Sequence, residues 1–299
     1  MTGADKRASK FPLRLDGLGS PVKAARGTAL PIGAPMLTTA PILRATAAAA
    51  RTVLRPQRPL AHAHAHLNAS RRAAPLGVGL DSADVRLHMT HRLRAHGITH
   101  EQVLDAMAKV PRHLFVDAAL VTQAYEDTSL PIGHGQTISK PSVVARMIEL
   151  LMGGATAREA RSLGRVLEIG TGCGYQAAVL ALLARQIVSI ERLGPLHDKA
   201  RALLAPHRPA NMRLVYGDGM RGHAPNAPYN SIISAAGGDT VPDAWLEQLA
   251  VGGRLVSPVR EAGSQRQALV VIDRTDQGYT RSVFEAVHFV PLKSGKVAS

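Results

Sequence analysis

Val166-Leu167-Glu168-Ile169-Gly170-Thr171-Gly172-Cys173-Gly174-Tyr175 is the segment that most limits the folds open to this chain. An apolar run enters three alternating glycines and then residues with helical spacing, so it reads as buried strand, tight turn and helix. Glycines permit the sharp bend and let a ligand approach closer than a Cβ would allow. The same alternation continues beyond it. Strands are expected at Arg165–Gly170, Gln186–Glu191, Met212–Tyr216, Ser231–Ala235 and Arg254–Val259, and helices at Tyr175–Ala184, Leu196–Leu204 and Asp243–Ala250. Such alternation demands parallel strands with right-handed crossovers, so the expected fold is α/β, a doubly wound, mostly parallel, Rossmann-like sheet. Two further β-like runs, Ala268–Asp273 and Ser282–Val290, have no helix between them and are expected as an antiparallel pair at one edge.

Ahead of the sheet the pattern predicts a helical subregion. Thr99 and Gln102 have capping-box spacing, and Val103, Met107 and Val110 repeat at helical intervals until Pro111. A second helix is expected after Pro141, with Val143, Val144, Met147, Ile148 and Leu151 on its apolar face.

Residues 1–85 show neither period. Pro, Ala, Gly and Arg dominate, and no acid occurs between Gly17 and Leu80. This composition buries too little apolar area to offset chain entropy, so residues 1–85 are expected as a basic disordered extension and residues 86–299 as the folded domain. An Arg-rich, acid-poor leader also suits an organellar transit peptide, but the extension is the preferred reading. The net charge of +14 suggests nucleic acid. Residues 1–85, however, carry twelve Lys/Arg against four Asp/Glu, more than half of that excess, so no stable nucleic-acid partner is expected. No apolar run approaches the roughly 20 residues of a membrane-spanning helix. The lone Cys173 allows no internal disulfide, which suits a cytoplasmic protein. Neither the alternating His62, His64 and His66 nor the group His88, His91, His96 and His100 is completed by a Cys or paired acid, so no metal is expected.

The glycine spacing is G-x-G-x-G, where dinucleotide sites have G-x-G-x-x-G. Glu168, two residues before the first glycine, would repel a pyrophosphate but attract a sulfonium ligand bearing an ammonium group. Glu191 ends the second strand, where an acid can accept hydrogen bonds from ribose hydroxyls, and Gly217-Asp218-Gly219 ends the third, where a carboxylate can meet an adenine amino group. Each acid alone is an ordinary strand-end residue. Three of them at the carboxyl ends of consecutive strands make a constellation that fits S-adenosylmethionine.

The segment Leu130-Pro131-Ile132-Gly133-His134-Gly135-Gln136-Thr137-Ile138-Ser139-Lys140-Pro141 bears on the methyl acceptor. Physically it is a Gly/Pro-punctuated loop feeding a helix start, and Ser139 reads blandly as a helix cap. It also resembles the signature segment of the protein-L-isoaspartate O-methyltransferase family. The resemblance continues through Arg112–Val116, Ala124–Asp127, Val166–Ala178, Ser189–Arg192, Gly217–Gly219, Gln248–Val259 and Phe289–Leu292.

That resemblance implies methyl transfer from S-adenosylmethionine to the free α-carboxylate of L-isoaspartyl residues in damaged proteins and peptides. The ester then cyclises to a succinimide that reopens partly to normal aspartate. It implies Ser139 as the active-site serine. Gln136, Thr137, Glu168, Gly170, Thr171, Gly172, Gly174, Glu191, Arg192, Asp218 and Gly219 are the expected donor contacts, and the enzyme is expected to be a monomer. Three features depart from the family pattern: Cys173 replaces a usual serine, Ser234–Asp239 replaces a more apolar, Pro-containing stretch, and residues 1–85 have no counterpart in the compact members. Other readings are a methyltransferase acting on RNA or a small molecule, an NAD-linked oxidoreductase, and a basic binding module driven by the leader. The ordered region has no aromatic-rich strand to stack bases, and the glycine spacing opposes NAD.

Overall fold

The computed structural model describes residues 83–207, 209–261 and 263–298. The expected extension falls outside them except for its last three residues, as do His62, His64 and His66. The chain opens with α1 (Ala83–Ala95), which ends where Gly97 takes φ +95°, and α2 (Glu101–Lys109). A short hairpin follows, β1 (Leu130–Gly133) with β2 (Gln136–Ile138), and then α3 (Pro141–Met152) and α4 (Ala155–Ala160).

Both cap assignments differ from the sequence expectation. Thr99 and Gln102 form no capping box: the Gln102 amide reaches the Arg161 carbonyl at 3.3 Å. Instead the Glu149 carboxylate, on α3, accepts from the Thr99 N–H at 2.7 Å and the His100 N–H at 3.0 Å. Ser139 is not a cap either. Lys140 occupies the N-cap position, and Asp127 accepts from the Ser142 N–H and hydroxyl, both at 2.8 Å. Orphan N–H groups at a helix start need an acceptor; here carboxylates far along the chain supply it.

The sheet elements are β3 (Arg165–Ile169), α5 (Tyr175–Ala181), β4 (Gln186–Glu191), α6 (Gly194–Leu204), β5 (Met212–Tyr216), β6 (Tyr229–Ser234), α7 (Asp243–Gln248), β7 (Leu249–Arg260), β8 (Gln267–Thr275) and β9 (Gly278–Val287). Their order in the seven-stranded sheet is β5-β4-β3-β6-β7-β8-β9. From β5 through β7 all pairings are parallel; β7–β8 and β8–β9 are antiparallel, the expected edge pair. The strands begin and end within a few residues of expectation, except that β7 starts five residues early and takes the last residues expected of α7.

β3 is buried on both faces, as a central parallel strand must be. With so few aromatics, Leu, Ile and Val fill the core, aided by fully buried Met89, Met107, Met147 and Met152. The chain leaves β3 for β4 and β5 on one side and returns to β6 on the other, which opens a crevice at the carboxyl ends of β3 and β4.

Candidate active site

A cavity of about 460 Å³ occupies that crevice. Its floor is Gly170, Thr171, Gly172 and Cys173 after β3; one wall is Glu191, Arg192 and Leu193 after β4, with Leu196 of α6; the facing wall is the β1–β2 hairpin with Gln136, Thr137, Ile138 and Ser139. Gly219, Ala235, Ala236 and the C-terminal residues Val290–Lys293 close it. The structure thus gathers Ser139, Gln136, Thr137, Gly170, Thr171, Gly172, Glu191, Arg192 and Gly219 around one space. Glu168, Gly174 and Asp218 do not line it, each for a local reason.

Glu168 is fully buried beneath the loop. Strand alternation turns its side chain toward α5, where Gln176 donates to it at 3.0 Å and the Ser189 hydroxyl at 2.5 Å. Burial raises its pKa from 4.5 to about 7, against the pull of those two donors. The Ser189 hydroxyl also meets the Thr171 hydroxyl at 2.6 Å, so one chain of hydrogen bonds joins Glu168 to the cavity floor. Gly174 sits at φ +94° against α6, where an added Cβ would stand 2.8 Å from Leu204 Cδ1. Asp218 caps the turn Gly219–Arg221 through the Met220 N–H at 3.0 Å and accepts from the Gly295 N–H at 2.8 Å.

Glu191 does face the cavity. Its carboxylate is fixed by the N–H groups of Gly172 at 2.9 Å, Arg192 at 2.9 Å and Leu193 at 3.0 Å. Arg192 and Leu193 both donate to Oε1, so Oε2, which accepts from Gly172 alone, keeps a lone pair for a further donor. Arg192 lines the wall, but its guanidinium donates to the carbonyls of Ser294 and Gly295, at 3.2 and 3.1 Å. It therefore straps down the C-terminal segment. That segment also bridges Gly237, whose N–H meets the Val290 carbonyl at 2.9 Å and whose carbonyl accepts from Leu292 at 2.8 Å. This contact defines the wall where 234–239 departs from the family pattern. Trp245 of α7 fixes Gly219 by donating to its carbonyl at 2.8 Å.

Cys173 is buried, and burial pushes its thiol pKa up, which makes the thiol inert. Ser139 is half-buried, and its hydroxyl makes no hydrogen bond among the described residues. Its carbonyl is held at 2.8 Å by Arg112, a residue the sequence reading passed over. Arg112 is completely buried, donates also to the Ala124 carbonyl at 2.7 Å and lies 4.8 Å above the Tyr175 ring. Burial lowers its pKa. The only hint in the sequence was that Arg112 opens one of the shared segments. Among the described residues no three His, Cys, Asp or Glu side chains could hold a metal ion, and no helix is long and apolar enough to cross a membrane.

The comparisons with known proteins agree on one group. Residues 85–297 match the model of the family described as protein-L-isoaspartate(D-aspartate) O-methyltransferase. A protein-L-isoaspartate O-methyltransferase of Methylibium petroleiphilum is 55% identical over 296 residues, 99% of both chains, so the N-terminal extension has a counterpart there. One of Leptothrix cholodnii is 56% identical over 270 residues, 87% of this chain and 93% of that one. A solved protein-L-isoaspartate O-methyltransferase is similar with TM-score 0.62 and 27% identity, covering 70% of this chain and 66% of the other. A structure from Plasmodium falciparum, described as a putative protein-L-isoaspartate O-methyltransferase with S-adenosyl-L-homocysteine, has TM-score 0.60 at 21% identity and covers 70% of this chain and 98% of its own; it supports the fold.

Proposed function

The chain belongs to the protein-L-isoaspartate(D-aspartate) O-methyltransferase family, and from that premise we propose how its cavity does the work. It is an S-adenosylmethionine-dependent enzyme that methylates the free α-carboxylate of L-isoaspartyl residues in damaged proteins and peptides. We assign the donor to the crevice after β3 and β4 and the acceptor to the hairpin wall. The observation that carries this is the meeting of two sequence-distant elements, the three-glycine turn and the segment 136–139, across one cavity.

The cavity's chemistry suits the donor. Gly170 and Gly172 line the floor with positive φ and no Cβ to intrude, and Glu191 presents the remaining acceptor site of Oε2 to a hydroxyl group. When bound, S-adenosylmethionine supplies an electrophilic methyl carbon on a sulfonium. The nucleophile needs no general base, because a carboxylate with an ordinary pKa of roughly 4 is ionised near neutral pH. The protein's task is alignment and exclusion of water. Ser139 brings an uncommitted hydroxyl to the wall, and we assign it to donate to the acceptor carboxylate and fix one oxygen. Gln136 and Thr137 flank it, while Ile132, Ile138 and Leu292 keep the space dry.

We further assign catalysis to residues 86–299, acting as a monomer in the cytoplasm without a nucleic-acid partner. The support is a single buried cysteine and a basic excess lying mostly in residues 1–85. Ser139→Ala tests the central role. Turnover of an isoaspartyl peptide should fall by about 10²-fold, the usual cost of losing a positioned donor, with S-adenosylhomocysteine binding within about twofold. Turnover unchanged would refute it.

A further inference from the structure

Arg112 is a fully buried cation. It is 0% exposed, its Nη1 is buried without a hydrogen-bond partner, and among the described residues it forms no ion pair. Tyr175, Cys173 and, last, Asp127 act on it electrostatically, and the Asp127 oxygens accept from Ser142 rather than from Arg112. Arg112 nevertheless sits behind the acceptor wall. It holds the Ser139 carbonyl and stacks on Tyr175, both of which line the cavity.

A clamp between the carbonyls of Ala124 and Ser139 needs N–H donors, and a neutral amide would provide them. A charge adds only the cost of leaving water, which an anion must offset. The protein's own carboxylate, Asp127, acts on Arg112 only through space and forms no ion pair with it; the reaction brings a second anion. Resting on the assignment of Ser139 to the acceptor, we propose that Arg112 is the positioning cation of the acceptor subsite. It fixes Ser139 through its carbonyl, and its unpaired charge makes the place beside Ser139 selective for a carboxylate.

The experiment compares an isoaspartyl peptide with its twin bearing a neutral carboxamide in place of the α-carboxylate. Affinity of each for the S-adenosylhomocysteine complex is measured by calorimetry on wild type, Arg112→Lys and Arg112→Gln, beside the affinity for S-adenosylhomocysteine alone. Wild type should prefer the acid by at least about tenfold. Arg112→Lys should keep most of that preference and Arg112→Gln should lose it, with S-adenosylhomocysteine affinity within about twofold throughout. An Arg112→Gln enzyme that still prefers the acid overturns the proposal. So does an Arg112→Lys enzyme that loses the preference as Arg112→Gln does, since geometry alone would then explain the residue. If neither variant folds, wild type decides: equal affinity for acid and amide overturns the proposal, and a preference for the acid sustains it. Failure of the Ser139 reading is distinguishable, because it appears as full turnover by Ser139→Ala while the acid-over-amide preference is read from binding.

Discussion

Glu168→Gln should make the folded protein more stable and the donor site worse. The carboxyl's pKa is about 7 in the folded protein against 4.5 ordinarily. Below pH 4.5 it is protonated in both states and burial costs little; above pH 7 it is ionised in both, and the folded state carries the whole penalty. Stability from this group is therefore present at low pH and lost as pH rises through the window 4.5 to 7. The full difference corresponds to about 3 kcal/mol, most of which falls between about pH 5 and pH 8. Glutamine does not titrate and keeps every hydrogen bond: its oxygen accepts from Gln176, and its amide donates to Ser189, whose hydroxyl turns toward Thr171. Urea unfolding followed by the fluorescence of Trp245, the chain's one tryptophan, reads the difference directly. The variant's advantage over wild type should grow by about 2–3 kcal/mol from about pH 5 to pH 8, other titrations cancelling. Affinity for S-adenosylmethionine should fall, because a negative charge one hydrogen-bond relay from the floor is gone. A pH-independent difference, or a variant less stable at pH 8 than at pH 5 relative to wild type, would refute the reasoning.

Gly174→Ala combines a left-handed backbone with a 2.8 Å clash against Leu204. It should cost about 2–4 kcal/mol in chemical denaturation, and a loss under about 1 kcal/mol would contradict that geometry. Glu149→Gln weakens the acceptor for the Thr99 and His100 N–H groups and should cost about 1–2 kcal/mol near neutral pH. Burial works against ionised Glu149, but bonds from Thr99, His100 and Arg146 outweigh it and hold its pKa below the ordinary value. Its contribution is present above the unfolded value and lost as pH falls through the folded one, so denaturation curves of variant and wild type should converge in acid.

The sheet was legible because each strand is a short apolar run bounded by a turn, and the glycines at 170, 172 and 174 are backbone requirements that leave a mark on the sequence. Strand alternation also held the correction for Glu168: Leu167 and Ile169 share one face, so Glu168 must face the other, toward α5. What stayed illegible is non-local. Nothing near Thr99 announces that Glu149 caps α2, and nothing near Ser142 announces Asp127. Arg192 and Asp218 were read as ligands of a small molecule because strand ends usually serve that purpose. Both are also anchored to residues 294–295, 102 to 103 positions beyond Arg192 and 77 beyond Asp218. Arg112 carries no local sign of burial, since an arginine after a proline ordinarily reads as surface.

β1 and β2 pair with each other and with no strand of the large sheet. The hairpin wall, to which we assign the acceptor, is thus mechanically a separate part from the sheet that frames the crevice. Transplanting residues 130–138 from a relative with different substrate preferences would leave every ladder of the seven-stranded sheet in register. In this architecture the hairpin's side of the cavity, Gln136 and Thr137 included, can drift while the glycine turn and Glu191 stay put.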